Sequence, residues 1–253
     1  VGGFPVELII KDTQTNATVG VDAANALVAE GVPAYVGALA SSVTMPVATT
    51  VSSQKNIVQI SAASTSPAIT GLDDNGLVFR TAPSDARQGQ VLADVLLGKG
   101  INNVAVSYTN NDYGKGFADA FQAAFERGNG TVALSAGHEE GKADYSAEVA
   151  ALSATGANHL VVLGYLNGGG KSVIEESIKT GAFSSFSGGD GMIGASMVEA
   201  LGDGIEGMIG TQPGGENEGA AMFAAIAEAN GLTIDGPFKG EAYDAVALIA
   251  LAM

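Results

Sequence analysis

The sequence predicts an α/β protein of two lobes, each a parallel sheet with helices on both faces. Short apolar runs typical of strands alternate with helical patterns along the whole chain. Such alternation favours parallel strands joined by right-handed helical crossovers. The length of 253 residues exceeds that of one usual hydrophobic core. Two proline-containing segments interrupt the pattern where the chain could cross between lobes, Thr81-Ala82-Pro83-Ser84 and Gln212-Pro213-Gly214-Gly215.

The elements follow from apolar spacing and from Gly, Asn and Ser punctuation. The predicted strands cover residues 6–10, 34–37, 57–60, 77–81, 104–108, 132–134, 160–163, 183–186 and 207–211. The predicted helices run from Asn16 or Thr18 to a stop at Gly31, from Ser41-Ser42 onward, and over 87–97, 116–127, 146–153, 171–179, 220–229 and 242–253.

Cutting the chain at the two crossover segments gives an N-terminal lobe of residues 1–82 plus 214–253 and a C-terminal lobe of 83–213. The sequence starts almost on a strand and stops inside a helical pattern. We therefore expect the N-terminal lobe to be truncated at both ends. The alternative is a single domain in which both segments are ordinary loops.

Composition restricts the partners. There are 27 acidic against 11 basic residues, a net charge of −16, and such a field repels nucleic acid and anionic lipid. No apolar run approaches the ~20 residues that span a bilayer, so direct membrane insertion is not expected. The absence of cysteine excludes disulfides and thiolate metal sites. We expect no nucleic-acid partner.

Signals for catalysis or a cofactor are weak. His138 stands in a polar stretch, Gly137-His138-Glu139-Glu140, and His159 leads into a buried strand, without a metal-ligand pattern around either. Gly168-Gly169-Gly170-Lys171-Ser172 fails the phosphate-loop register, and the G-x-G-x-x-G matches at 189–194 and 202–207 are expected by chance among 36 glycines. We expect no catalytic residue, no metal and no cofactor; an enzyme is the least favoured alternative.

Polar residues cluster where the predicted strands end. In open α/β sheets ligands bind beyond the carboxyl ends of strands. The residues there are Ser41-Ser42, Ser61 to Ser66, Asp112-Tyr113, Tyr165 and Asp190. Hydroxyls and helix-start N–H groups suit a carboxylate, a lone buried acid suits an ammonium, and tyrosines suit an apolar flank. Together they predict a pocket for an amino-acid zwitterion, although each residue alone also fits a structural role as cap, packing or turn.

Three segments of the chain share a pattern with a known family. They are Gly37-Ala38-Leu39-Ala40-Ser41-Ser42-Val43-Thr44-Met45-Pro46, Ile60-Ser61-Ala62-Ala63-Ser64-Thr65-Ser66-Pro67 and Asn111-Asp112-Tyr113-Gly114-Lys115-Gly116. In this order they resemble the first ligand loop, the second ligand loop and the loop that opens the second lobe in the type I periplasmic binding proteins that take leucine, isoleucine and valine. Gly164-Tyr165 and Gly189-Asp190-Gly191 follow in the family's order. The resemblance covers essentially the whole chain.

The resemblance implies a role for each site residue. Ser41, with neighbouring Ser42, and Thr65 would hold the ligand carboxylate, with the Ser64–Thr65 backbone assisting. The carbonyl of Ala63 and the carboxylate of Asp190 would hold the ammonium. Tyr113 and Tyr165 would complete a closed cleft between the lobes. Asp190 stands where leucine receptors usually have glutamate, and the family's opening strand, which lines the side-chain pocket, has no counterpart here.

The resemblance also implies a physiological setting. Such a receptor closes over a small amino acid and delivers it to the membrane permease of an ABC transporter. It would be a periplasmic monomer whose signal peptide is absent from this chain. Alternatives that stay open are a receptor for amides or aromatic carboxylates and a ligand-sensing regulatory domain of the same fold.

Overall fold

A computed structural model describes residues 5–214, 218–233 and 236–253, so Gly215 of the second predicted crossover lies outside the described residues. Within them the helices are α1 (Ala17–Ala29), α2 (Ser41–Val47), α3 (Ser53–Lys55), α4 (Asp85–Gly98), α5 (Asp112–Arg127), α6 (Ser146–Ser153), α7 (Gly170–Thr180), α8 (Ala195–Leu201), α9 (Glu218–Ala229) and α10 (Lys239–Ala252). The strands are β1 (Ala34–Val36), β2 (Val58–Ser61), β3 (Val78–Arg80), β4 (Asn103–Thr109), β5 (Thr131–His138), β6 (His159–Leu163), β7 (Ser185–Gly188) and β8 (Ile209–Gly210).

The chain divides into two compact units. The first unit comprises Val1–Pro83 and Gly214–Met253, and the second unit comprises Ser84–Pro213. Every described strand pair is parallel, in the orders β1-β2-β3 and β5-β4-β6-β7-β8. Helices flank both sheets. The predicted α/β class is confirmed.

In the first unit, local caps set the helix that packs beside the sheet. The Asn16 side chain accepts hydrogen bonds from the N–H groups of Thr18 and Val19, which makes it the N-cap of α1 and selects it from the two predicted starts, Asn16 and Thr18. Gly20 allows α1 to approach α2, because a Cβ there would overlap the Val43 side chain. After α2 the chain continues through a π-helical turn and α3, and it ends at Asn56 in the left-handed region (φ 53°).

The predicted strand at residues 6–10 is wrong. This segment has no ladder partner among the described strands, and Val6, Leu8 and Ile10 are 55%, 73% and 79% exposed. The segment borders a cavity of about 440 Å³ together with Val36 and Val246. An apolar run becomes a strand only when a neighbour satisfies its backbone groups, and composition alone does not supply that neighbour.

In the second unit the sheet is buried on both faces. Along β4, Val104 and Val106 join one core cluster while Ala105 joins the other, as the two-residue period of a strand requires. On one face the core is built from α4 and α5, with Phe117, Phe121 and Phe125 fully buried. The opposite core contains Leu152 and Ile174. A near-continuous apolar strand is therefore favourable here.

The predicted boundaries shift at several places in this unit, of which three bear on the site. Helix α5 begins at Asp112 rather than 116, because the side chain of Asn111 caps the N–H of Gly114. Strand β5 extends to His138, so the stretch around that residue is a buried strand end and not the polar loop predicted. Strand β7 covers Ser185–Gly188 instead of 183–186.

Gly89 is a point of close approach between α4 and α5 and gives a stability prediction. A Cβ at Gly89 would lie 2.7 Å from the backbone nitrogen of Phe121. The backbone of Phe121 cannot move away from the new methyl group as a flexible side chain could. Gly89→Ala should therefore lower the free energy of unfolding by about 1–3 kcal/mol, as overpacking does. Urea denaturation checks this value.

The matched control is Gly98→Ala on the same helix. A Cβ at Gly98 would meet no atom within 4 Å, so this change should be neutral or stabilise by up to about 1 kcal/mol. Equal effects of the two substitutions would contradict the close approach at Gly89.

Candidate ligand-binding site

The carboxyl ends of three neighbouring strands in the second unit bring Tyr113, Tyr165 and Asp190 together. Strands β4, β6 and β7 are adjacent in the sheet, and the three residues follow them. The rings of Tyr113 and Tyr165 stack with centroids 5.0 Å apart. The hydroxyl of Tyr113 donates to Oδ1 of Asp190 at 3.1 Å and accepts from the N–H of Gly191 at 3.2 Å.

Asp190 is a buried carboxylate with positioned donors. It is 6% exposed, and Nε2 of Gln88 donates to its Oδ1 at 2.8 Å. Burial raises the pKa of Asp190, while the hydrogen bonds from Gln88 and Tyr113 act in the opposite direction. No lysine or arginine is paired with Asp190 in the described residues' salt bridges. A cation bound at this carboxylate would recover part of the energy that burying the charge costs.

The tyrosines remain neutral. Burial raises the pKa of Tyr113 well above its usual range, and the charges of Asp190 and Asp85 raise it further. The pKa of Tyr165 is raised chiefly by burial as well. Asp85, at the start of α4, is itself fully buried. The cluster therefore combines two carboxyl groups with neutral hydroxyls, and its local field favours positive charge.

In the first unit, two loops carry hydroxyl groups past the ends of β1 and β2. Ser41 begins α2, is 1% exposed, and its Oγ accepts the N–H of Ser66 at 3.2 Å. Ser42 and Ala63 are half-buried, whereas Thr65 is fully buried. Ser41 and the loop of residues 61–66 thus lie side by side, as parallel strand ends require.

Internal hydrogen bonds hold the second of these loops. The hydroxyl of Ser64 bonds Thr44 Oγ1 at 2.8 Å and donates to the carbonyl of Leu39 at 2.9 Å, and its N–H donates to Ser61 Oγ at 3.0 Å. The polar atoms of Ser64 therefore serve loop shape. The hydroxyl of Ser66, by contrast, is buried and has no hydrogen-bond partner in the described part of the chain.

Two residues near these groups were not found from the sequence, Gln88 and Arg80. Arg80 on β3 donates to the carbonyl of Ser66 at 2.8 Å and to that of Ser64 at 3.3 Å, which places a cation beneath the hydroxyl loop. Gln88 lies in the first turn of α4. No sequence pattern indicates either residue, because a polar residue inside a predicted helix or strand normally faces solvent.

Both histidines serve strand pairing. His138 bonds the hydroxyl of Ser107 through Nδ1 at 2.9 Å and that of Thr109 through Nε2 at 3.2 Å. His159 bonds Ser185 at 2.8 Å and Ser187 at 2.6 Å. These bonds link adjacent strands, β4 to β5 and β6 to β7. Each ring nitrogen therefore has a hydroxyl partner.

The histidines give a pH prediction. Burial lowers the pKa of His138 and of His159 from 6.5 to about 4. Between these values the unfolded chain binds protons that the folded chain does not, so the free energy of unfolding should fall as pH drops from 6.5 to about 4. Each histidine should contribute roughly 1–3 kcal/mol of this loss. Urea denaturation over a pH series measures it.

The variants His138→Gln and His159→Gln isolate the contribution of each histidine to this pH dependence. Carboxylates also titrate near pH 4, but they are the same in the variants and in the wild type. Their unfolding free energies should depend less steeply on pH over the same interval. A slope equal to that of the wild type would show that the imidazoles protonate normally in the folded protein.

Hydroxyls and a buried acid at the strand ends of parallel α/β units occupy the position where open α/β sheets bind small molecules. The whole chain, residues 1–253, matches the family model of periplasmic binding proteins, and the chain belongs to that family. The predicted resemblance to the branched-chain amino acid receptors is confirmed.

Individual proteins that are similar to this chain support the family membership. Over 171 residues, 66% of this chain and 45% of the relative, the sequence is 36% identical to Leu/Ile/Val-binding protein homolog 3 of Brucella melitensis. A leucine-binding protein from Thermotoga maritima superposes with a TM-score of 0.81 at 25% identity over 96% of this chain and 70% of its own. A solute-binding protein from R. palustris in complex with 4-hydroxybenzoate shares the fold, with a TM-score of 0.80 at 17% identity over 98% of this chain and 70% of its own.

The chain spans about half the length of the curated relatives it matches. None of the helices within the described ranges is both long and apolar enough to cross a membrane. In those same ranges, no group of three or more histidine, aspartate or glutamate side chains is arranged to hold a metal ion.

Proposed function

We propose that this chain is the ligand-binding part of a solute receptor for an ABC transporter, and that its ligand is a small branched-chain or aliphatic amino acid. The observation that carries the proposal is Asp190. A carboxylate that is 6% exposed, held by two neutral donors and lacking a cationic side chain in the described salt bridges, is a binding group for an ammonium. The family membership supports the same conclusion.

The other end of the zwitterion requires donors. Ser41, Ser42 and Thr65 are the proposed carboxylate ligands, and the carbonyl of Ala63 is a proposed second acceptor for the ammonium. The guanidinium of Arg80 beneath this loop adds a favourable potential for an anion. Both charged ends of a buried ligand must be matched, because an unpaired buried charge costs several kcal/mol.

Tyr113 and Tyr165 are the proposed apolar flank. Their stacked rings present hydrocarbon surface while their hydroxyls stay neutral. A ligand held by these residues would stabilise the form of the protein that binds it more tightly. A receptor of this kind, without an enzymatic step, would act in the periplasm and deliver its ligand to a membrane permease.

A second candidate is a receptor for a neutral amide. Burial raises the pKa of Asp190, and a protonated Asp190 would donate to a carbonyl group instead of accepting from an ammonium. The same side chain would then serve a different ligand, and binding experiments separate the two.

A thermal-shift panel tests the function. We expect leucine, isoleucine or valine to raise the unfolding temperature, since a ligand at 100 times its dissociation constant adds about 2.7 kcal/mol. The panel includes 4-methylpentanoate, which lacks the amine of leucine, an aliphatic amide, and 4-hydroxybenzoate. Stabilisation by the amide or by the amine-free acids, with none by amino acids, would overturn the amino-acid assignment.

Asp190→Ala should weaken amino-acid binding by about two to four decades, because loss of one buried charge partner costs about 3–5 kcal/mol. Isothermal titration calorimetry measures the dissociation constant. Asp203→Ala, at an exposed aspartate of the same unit, is the matched control and should leave affinity unchanged. Unchanged affinity in Asp190→Ala would remove this carboxylate from the site.

A further inference from the structure

Gln88 carries a buried acceptor without a partner beside the proposed ammonium site. The side chain is 6% exposed. Its Nε2 donates to Asp190 Oδ1 at 2.8 Å and to the carbonyl of Thr211 at 2.9 Å. Its Oε1 is buried and has no hydrogen-bond partner among the described residues. Leaving a buried amide oxygen unpaired is costly, so this atom calls for an explanation.

The orientation of the amide is determined by its neighbours. Nε2 meets a carboxylate oxygen and a carbonyl oxygen, which are acceptors only, and at 3.3 Å the hydroxyl of Thr211, which can accept as well as donate. Exchanging the nitrogen and oxygen would set an acceptor against these acceptors, so the exchanged arrangement is unfavourable. The nitrogen of the Gln88 amide therefore faces Asp190 and Thr211, and Oε1 lies on the opposite side of the amide group, near the hydrogen bond between Gln88 and Asp190.

The chemistry of this position is specific. Asp190 Oδ1 already receives hydrogen bonds from Gln88 and Tyr113, so one carboxylate oxygen is largely occupied. An ammonium carries three N–H donors and needs several acceptors when buried. An uncharged oxygen adjacent to the carboxylate supplies a further acceptor for the ammonium. It does so without adding a negative charge to a cluster that already contains Asp85 and Asp190.

We propose that Gln88 is a ligand-binding residue whose Oε1 accepts a hydrogen bond from a charged N–H group of the ligand, so that the receptor selects a primary ammonium. This inference rests on the proposed function and extends it. Gln88 acts twice, holding Asp190 through Nε2 and contacting the ligand through Oε1. An amine-free ligand would leave Oε1 unpaired, which would disfavour that ligand.

The test compares Gln88→Met with Gln90→Met by calorimetry on leucine. Gln90 lies on the same helix and its amide also donates to an aspartate, Asp94, at 2.8 Å on the surface. Gln88→Met should weaken leucine binding about 10- to 100-fold, as loss of a hydrogen bond to a charged group does. Gln90→Met should not change it. Circular dichroism establishes that both variants fold, and Gln88→Leu, which also lacks the acceptor oxygen, replaces the methionine variant if it does not.

A double-variant cycle separates direct contact from positioning of Asp190. If Oε1 contacts the ligand, Gln88→Met should still weaken binding several-fold in the Asp190→Asn background. If Gln88 acts only through Asp190, the double variant should bind leucine as Asp190→Asn alone does, and the direct contact is refuted.

The outcomes distinguish this inference from the proposed function. Tight leucine binding by the wild type and by Gln88→Met would overturn the inference and leave the amino-acid receptor intact; the partner of Oε1 would then be water. Binding of amine-free carboxylates alone, or of no member of the ligand panel, would overturn both.

Discussion

Burial of the Asp190 carboxylate is the constraint around which the second unit's polar groups are arranged. Ionised groups are rarely placed in a nearly dry environment, because their desolvation is repaid only by well-aimed partners. Here the partners are neutral donors from two other elements, Gln88 from α4 and Tyr113 from α5. Neutral donors stabilise the charge without cancelling it, so the carboxylate keeps its attraction for a cation. A salt bridge at this position would have removed that capacity.

The same arrangement depends on glycines that permit close approach. A Cβ at Gly164 would overlap the Thr109 side chain, and one at Gly191 would overlap the carbonyl of Gly164. These contacts allow the ends of β4 and β6 and the turn after β7 to meet. The G-x-G-x-x-G match at residues 189–194 thus has a packing explanation: Cβ atoms at Gly189 and Gly194 would collide with Phe117 and Leu166. The glycine spacing at residues 189–194 is therefore explained by tight packing.

Sequence patterns predicted the fold class well because parallel strands buried on both faces are continuous apolar runs, as in β4 and β6. Sequence patterns gave wrong predictions where tertiary contacts determine the local structure. The run at residues 6–10 has strand composition without a ladder partner, and the stretch around His138 looked polar although neighbouring hydroxyls satisfy the buried ring. Asp190 and Tyr113 were predictable because they follow strands, whereas Gln88 lies within a helix and only its contacts distinguish it. Which residues complete the predicted ligand site in each unit remains a prediction from resemblance.

The length of the acid side chain at position 190 determines how many further acceptors a ligand ammonium would need. The resemblance to leucine receptors suggests glutamate here, and aspartate is one methylene shorter. A shorter carboxylate reaches less far, and its Oδ1 already takes two donors from the protein. A ligand ammonium bound at Asp190 would then need further acceptors, and Oε1 of Gln88 in the same unit is a chemically suitable one. In this view the selectivity for a charged amine comes from a carboxylate and an amide acting together, with the amide oriented by the carboxylate that it supports.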